Sequence, residues 1–348
     1  MTNARPSEVG RRPLISADSH VIEPLDVWEG LIPPADWGDA AATFSQRPGG
    51  FDPKARVDEM EVDGVSAEVL YPSLAMKLFT MQDAARQQAC FRRYNEWLVD
   101  YCLVAPDRLV GIGLMPAWEI DVAVAEAEWC QANGLRGVQI WQTPPADRPF
   151  NGRHHEPLWA ACNDLRLSVS LHILTGFDYS TTIYEHGSGL VAEGELMFKL
   201  SINEKVLAAM NSLLELILSG VLDRHRALRL IIVENEVGWL PFFIDQLDYY
   251  YQRYEGRNPV RLDRLPSEVF ADQIAATFFR DPNAAAVATR FGGRNIMWSS
   301  DYPHGNSTWP NSQDVVADRL RSLSEDVVHR LVWGNVSDLF GIELEPTP

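Results

Sequence analysis

The chain has 348 residues, 46% of them hydrophobic, and carries 48 acidic against 30 basic side chains for a formal net charge of −18. So acidic a surface repels phosphate backbones and anionic headgroups, which argues against nucleic-acid or membrane-surface binding, and no run approaches the roughly 18 apolar residues of a membrane span. The four cysteines, Cys90, Cys102, Cys130 and Cys162, form no CxxC pair; in a chain this long they read as thiols of a reducing compartment, so a cytoplasmic location is expected and a thiolate metal site is not.

Residues 1–13 hold several arginines but no apolar segment after them, unlike a signal peptide. They and the tail 342–348 are expected to be flexible ends of one domain spanning 14–341. Within it, short apolar runs alternate with helical patterns. The runs begin at Leu14 to Ala17, closing on Asp18, and continue with Ala67 to Tyr71, Leu109 to Leu114 and Gly137 to Trp141. Ser168 to Leu171 closes on His172 and Leu228 to Val233 closes on Glu234. Gln273 to Phe278 follows, and Asn295 to Ser299 ends near Asp301. Helical spacing marks Gln82 to Val104, Asp121 to Ala132, Pro157 to Leu165, Pro241 to Tyr254, Asn283 to Phe291 and Val315 to Leu323. Eight strand-like runs, most followed by a helix, predict parallel strands with right-handed crossovers and a closed (β/α)8 barrel of the α/β class. No GxGxxG follows the first strand, which weakens a dinucleotide-binding alternative. Two insertions, Asp26 to Pro53 and Thr175 to Ser219, follow strands that end in polar residues and are expected on the catalytic face.

The polar residues that close the strands form a pattern. In a strand, positions two apart point to the same side, so Asp18 and His20 can aim at one point. His172 ends the fifth strand and Asp301 follows the eighth. A lone histidine or aspartate at such a place is usually a packed or turn residue. Four of them on strands one, five and eight, converging on one barrel mouth, instead suggest a divalent-metal site of nitrogen and oxygen donors.

The segments Asp18-Ser19-His20-Val21-Ile22-Glu23-Pro24, Leu171-His172-Ile173, Glu234-Asn235-Glu236-Val237-Gly238-Trp239 and Ser299-Ser300-Asp301-Tyr302-Pro303-His304, in this order, resemble the amidohydrolase superfamily. The similarity is to the branch that includes aminocarboxymuconate-semialdehyde decarboxylase. The resemblance spans about Leu14 to Gly341 and implies a (β/α)8 fold with one divalent metal, Zn2+ first and Mn2+ or Fe2+ as alternatives. It implies Asp18, His20, His172 and Asp301 as ligands, Asp301 as the proton-transfer residue, and a homodimer. Two departures stand out: Asp18 occupies the place where many members have His or Glu, and Glu234-Asn235-Glu236 stands where relatives with decarboxylase activity carry a histidine.

Beside these, Glu23 reads as a partner of a ligating histidine or an alternative ligand, and Glu234 and His304 as catalytic or substrate contacts. Trp141, Phe177 and Trp239 are candidate pocket walls. His154 and His155 sit in a proline-rich loop expected to be exposed. The leading expectation is a hydrolase for a small aromatic or carboxylate-bearing substrate, with a metal-activated water and Asp301 as general base. The alternatives are a non-oxidative metal-dependent decarboxylase of an aromatic or enoic acid and a catalytically silent ligand-binding barrel.

Overall fold

A computed structural model describes residues 12–37, 47–176, 204–258 and 260–344. Eight strands follow one another in strict order: β1 Leu14–His20, β2 Val65–Tyr71, β3 Leu109–Leu114, β4 Gly137–Ile140, β5 Ser168–His172, β6 Arg229–Val233, β7 Ile274–Phe278 and β8 Ile296–Trp298. Each lies parallel to the next. Nearly every strand residue is buried. This is why the sequence shows continuous apolar runs rather than alternation: helices cover the outer face while side chains fill the interior.

The seam between first and last strands is closed by the segment just after β8. Asp301 N–H donates to the Asp18 carbonyl at 3.0 Å and His20 N–H to the Tyr302 carbonyl at 2.6 Å. Ser300 N–H donates to Ser16 Oγ at 2.8 Å. The architecture is a (β/α)8 barrel, as the strand count predicts.

The helices that pack outside include α1 Pro53–Asp63, α2 Ala84–Cys102, α3 Ile120–Ala132, α4 Glu156–Leu165, α5 Ala209–Leu218, α6 Val221–Arg224, α7 Leu240–Arg253, α8 Pro266–Gln273, α9 Ala284–Arg290 and α10 Ser312–Leu320. The six helices read from periodicity appear within about three residues of their expected ends. Helix α1 begins at the end of the first insertion. Asp52 caps it by accepting from Lys54 N–H at 2.9 Å, Pro53 occupies its first turn, and Gly64 ends it at φ 73°, a conformation that glycine adopts without a Cβ clash. The described residues contain no helix long and apolar enough to cross a membrane. Most of the second insertion, with Phe177, lies outside the described residues.

Candidate metal centre

At the carboxyl ends of β1, β5, β6 and β8 the strand-closing residues meet. His20 Nε2 lies 3.4 Å from Asp18 Oδ1 and 3.6 Å from Asp301 Oδ1. His172 Nε2 lies 3.5 Å from the same Asp18 oxygen and 3.9 Å from Glu234 Oε2. Each imidazole is fixed through its other nitrogen. His20 Nδ1 is 2.8 Å from the Pro72 carbonyl and His172 Nδ1 is 2.9 Å from that of Ile173. Because a carbonyl only accepts, each Nδ1 carries the proton and each Nε2 presents a bare lone pair to the centre.

These inward atoms have a shared peculiarity. Both carboxylate oxygens of Asp18 and the Nε2 atoms of His20 and His172 are buried without a hydrogen-bond partner among the described residues. Leaving so many polar atoms unsatisfied in a barrel mouth is costly. A divalent cation among them would satisfy all at once, so the donor set fits one.

The electrostatics agree. Burial, reinforced by His304 and His172, holds the His20 ring well below the usual imidazole range, leaving it neutral, the form that binds metal. Burial also favours neutral His172, but the hydrogen bond and charge of Asp18 outweigh it and the net direction is upward. Burial pushes the Asp301 carboxyl up against the opposing pull of His304. Burial, with the neighbouring Asp301 charge, raises Glu234. A cation would reverse the penalty on the carboxylates.

Asp301 sits on its own pedestal. Its Oδ1 is 2.9 Å from His304 Nδ1, the His304 Nε2 meets Ser73 Oγ at 3.0 Å, and the His304 ring stacks on His20 at 3.9 Å between centroids. Both Glu234 and Asp301 have left-handed backbones, φ 62° and 56°, a conformation that non-glycine residues adopt mainly where surrounding structure enforces it.

Other candidates fall elsewhere. Glu23 does not face the centre: its carboxylate accepts backbone N–H groups from Ser73, Leu74 and Ala75 at 3.2, 2.9 and 3.0 Å, so it clamps the loop after β2 and stands in no cluster with the ligand residues. The Trp141 indole donates to the Phe79 carbonyl and its ring packs edge-on against Trp118. Trp239 donates to the Asn235 carbonyl and rests on Phe243. His155 is buried among Trp141, Phe150 and Trp159 rather than exposed.

Three contributors carry no motif signal. Tyr71 packs at a tilt against both candidate ligand imidazoles and shares a hydrogen bond with Ser170 at 2.9 Å. Ser73 holds His304. Arg56, fully buried, pairs with Glu68 and donates to the His20 carbonyl at 2.7 Å, bracing the strand that carries two candidate ligands. Tyr71 closes an apolar run, Ser73 lies two residues beyond it and Arg56 lies within helix α1, places that a single sequence does not separate from packing.

A barrel whose strand ends gather carboxylates and imidazoles is the architecture of metal-dependent amidohydrolase-type enzymes. A family model described as amidohydrolase matches residues 17–342, and the chain belongs to that family. Gamma-resorcylate decarboxylase from Rhizobium sp. (strain MTP-10005) is 23% identical over 285 residues, 76% of this chain and 83% of the relative. Two solved structures share the fold. One is an amidohydrolase from Mycobacterium avium subsp. paratuberculosis K-10, with a TM-score of 0.79, 17% identity and coverage of 97% of this chain and 99% of that one. The other is a dihydroxybenzoic acid decarboxylase from Polaromonas sp. with bound manganese and the inhibitor 2-nitroresorcinol, at TM-score 0.71, 19% identity and coverage of 95% and 97%. The chain is an enzyme of this family, and its relatives favour the decarboxylase alternative over the hydrolase expectation.

Proposed function

We propose that this enzyme removes carbon dioxide, without oxidation, from a hydroxylated aromatic acid, with one divalent ion seated by Asp18, His20 and His172. The observation that carries the reading is the buried Asp301 carboxyl, held by His304 beside those three residues, in a chain whose relatives include decarboxylases of such acids. The bound ion would supply a Lewis-acidic anchor for the substrate's carboxylate and adjacent hydroxyl. A mixed set of carboxylate and imidazole donors suits Mn2+ as well as the Zn2+ expected from the resemblance.

The protein's own share is the proton. Burial favours the protonated form of Asp301, which delivers its proton to the ring carbon bearing the carboxylate. The bond to the carboxyl carbon then breaks, its electron pair restores the aromatic ring, and carbon dioxide leaves. Once Asp301 has given up its proton, its carboxylate charge favours the imidazolium of His304, whose Nδ1 lies 2.9 Å away and can return the proton.

The test uses Mn2+-loaded enzyme and a panel of ortho-hydroxybenzoic acids in D2O. Release of carbon dioxide with one deuterium at the vacated carbon is the expected result. Asp301→Asn abolishes turnover while the ion stays bound. Incorporation of oxygen from labelled water without carbon dioxide would overturn the reading and return the hydrolase. Glu234, standing in place of the histidine of decarboxylating relatives, is the one observation that favours hydrolysis. The same reading includes a homodimer, supported by the exposed apolar side chains Leu214, Phe242 and Tyr250 on neighbouring helices α5 and α7, and a cytoplasmic location.

A further inference from the structure

We propose that Ser73 is the positioning residue of His304 and that Glu23 sets Ser73 in place, so that one short loop after β2 aims the His304 imidazole at Asp301. The inference deepens the decarboxylase reading and rests on it for the roles of Asp301 and His304.

The loop holds two stacked rings from adjacent residues. The Pro72 carbonyl lies 2.8 Å from His20 Nδ1, and Ser73 Oγ lies 3.0 Å from His304 Nε2. The two imidazoles stack with 3.9 Å between centroids. The other nitrogen of His304 then faces Asp301, with Nδ1 2.9 Å from Oδ1. Stacking sets the height of the His304 ring above His20 but not its rotation in that plane. The contact with Ser73 fixes the rotation. A hydroxyl donates or accepts, so it serves the ring in either tautomer.

Glu23 makes the loop firm. It is buried, and its carboxylate accepts the N–H groups of three consecutive residues, Ser73, Leu74 and Ala75, at 3.2, 2.9 and 3.0 Å. Successive N–H groups turned to one point form a concave nest for an anion. Glu23 lies three residues beyond the end of β1, so the clamp ties the loop after β2 to the strand that carries Asp18 and His20.

The order Ser73 Oγ, His304 Nε2, His304 Nδ1, Asp301 Oδ1 also matches a serine nucleophile with its base and orienting carboxylate. The clamp argues against that use. A nucleophile needs donors turned toward the developing oxyanion, and the N–H groups of Ser73 and its two successors are turned to a carboxylate instead. Ser73 therefore orients and does not attack.

The test compares S73A, S73T and E23Q with wild type, and S73A with H304A and the double variant. Turnover is measured on Mn2+-loaded enzyme and Mn2+ affinity by competition with a calibrated chelator. S73A should lower kcat about 10- to 100-fold while KM, Mn2+ affinity and Tm stay near wild type. S73T, which keeps the hydroxyl, should recover most of that loss. Adding S73A to H304A should cost nothing further, because Ser73 acts through that ring. E23Q should lower kcat and Mn2+ affinity together, since it frees the loop that also holds His20. In crystals of S73A the His304 ring should turn away from Asp301. An unmoved ring, a full further loss in the double variant, or labelling of Ser73 by a fluorophosphonate overturns the proposal. Ring position is read without turnover, so it judges Ser73 even if wild type releases no carbon dioxide from any acid, a result that would sink the decarboxylase reading alone.

Discussion

Replacing Arg56 with methionine should destabilise the barrel far more than any surface charge would. The guanidinium is fully buried, pairs through Nε with Glu68, and donates through Nη1 to the carbonyls of His20 at 2.7 Å and Gly49 at 3.2 Å. Its face covers the Tyr302 ring at 4.4 Å. Methionine fills much of the volume but abandons the Glu68 carboxylate, itself 2% exposed, and removing one partner of a buried pair costs about 3–5 kcal/mol. Gly49 keeps a donor, the Tyr101 hydroxyl at 2.7 Å, so the carbonyl that suffers is that of His20. With about 2.1 cal/mol/K of unfolding entropy per residue over 348 residues, the slope is about 0.7 kcal/mol per degree, and Tm should fall by about 4–7 °C. Calorimetry at fixed metal concentration measures it. Adding Glu68→Leu to Arg56→Met should recover most of the loss, leaving about 1–3 kcal/mol for the stranded His20 carbonyl. A single variant within about 1 °C of wild type, or a double variant no better than the single, would refute the reasoning.

Other consequences can be checked on the same material. Chelation should lower Tm by about 4 °C relative to protein held at 100 times the Kd, where the ion contributes about 2.7 kcal/mol; an unchanged melt would mean that no ion stabilises the native state. Burial, with His154 and Arg148 nearby, pushes His155 down to about 3 from its ordinary 6.5. The unfolded chain takes up that proton first, so the contribution is complete above pH 6.5 and declines by about 1.4 kcal/mol per unit as pH falls toward 3. His155→Leu should flatten urea-derived stability against pH between 6.5 and 4, and an unaltered slope would exclude the residue as the source. A Cβ on Gly113 would meet Cys130 Sγ at 2.5 Å, so Gly113→Ala should cost about 1–3 kcal/mol by overpacking β3 against α3, read from the shift in urea midpoint.

The barrel was legible because its strands are buried on both faces, and burial writes itself as mostly apolar runs, broken only at places such as Glu68 and Gln139. The end of each run was legible for the same reason: Asp18, His172 and Glu234 are the first charged or ionisable residues after a stretch with none. Helix α1 was not, since its inward positions include Arg56 and Asp63, which spoil an apolar stripe, although Asp52, Pro53 and Gly64 mark its ends. Glu23 misled because spacing from His20 says nothing about the loop of β2 whose N–H groups claim its carboxylate. His155 misled because prolines signal a turn but not what packs beneath it. The left-handed backbones of Glu234 and Asp301 and the hold of His304 on Asp301 have no sequence signature.

The seam joins fold and site. Ser16, Ser19 and Ser300 form a buried hydroxyl cluster there, Ser16 Oγ to Ser300 Oγ at 3.1 Å and Ser19 Oγ to Ser300 Oγ at 3.0 Å. The backbone bonds from Asp301 to Asp18 and from His20 to Tyr302 close the barrel with the residues that carry the candidate chemistry. Closure therefore brings the carboxylates of Asp18 and Asp301 into one low-dielectric mouth, where the charge on Asp18 adds to the cost of charging Asp301. Without a cation that repulsion works directly against the seam; with one it becomes attraction to a shared centre. The same ion that would anchor a substrate would thus also fasten the first strand to the last. Loss of metal should accordingly loosen β1 and the segment after β8 before the rest, seen as faster amide exchange at His20 and Asp301 than at the mid-barrel residues Ile231 and Val169.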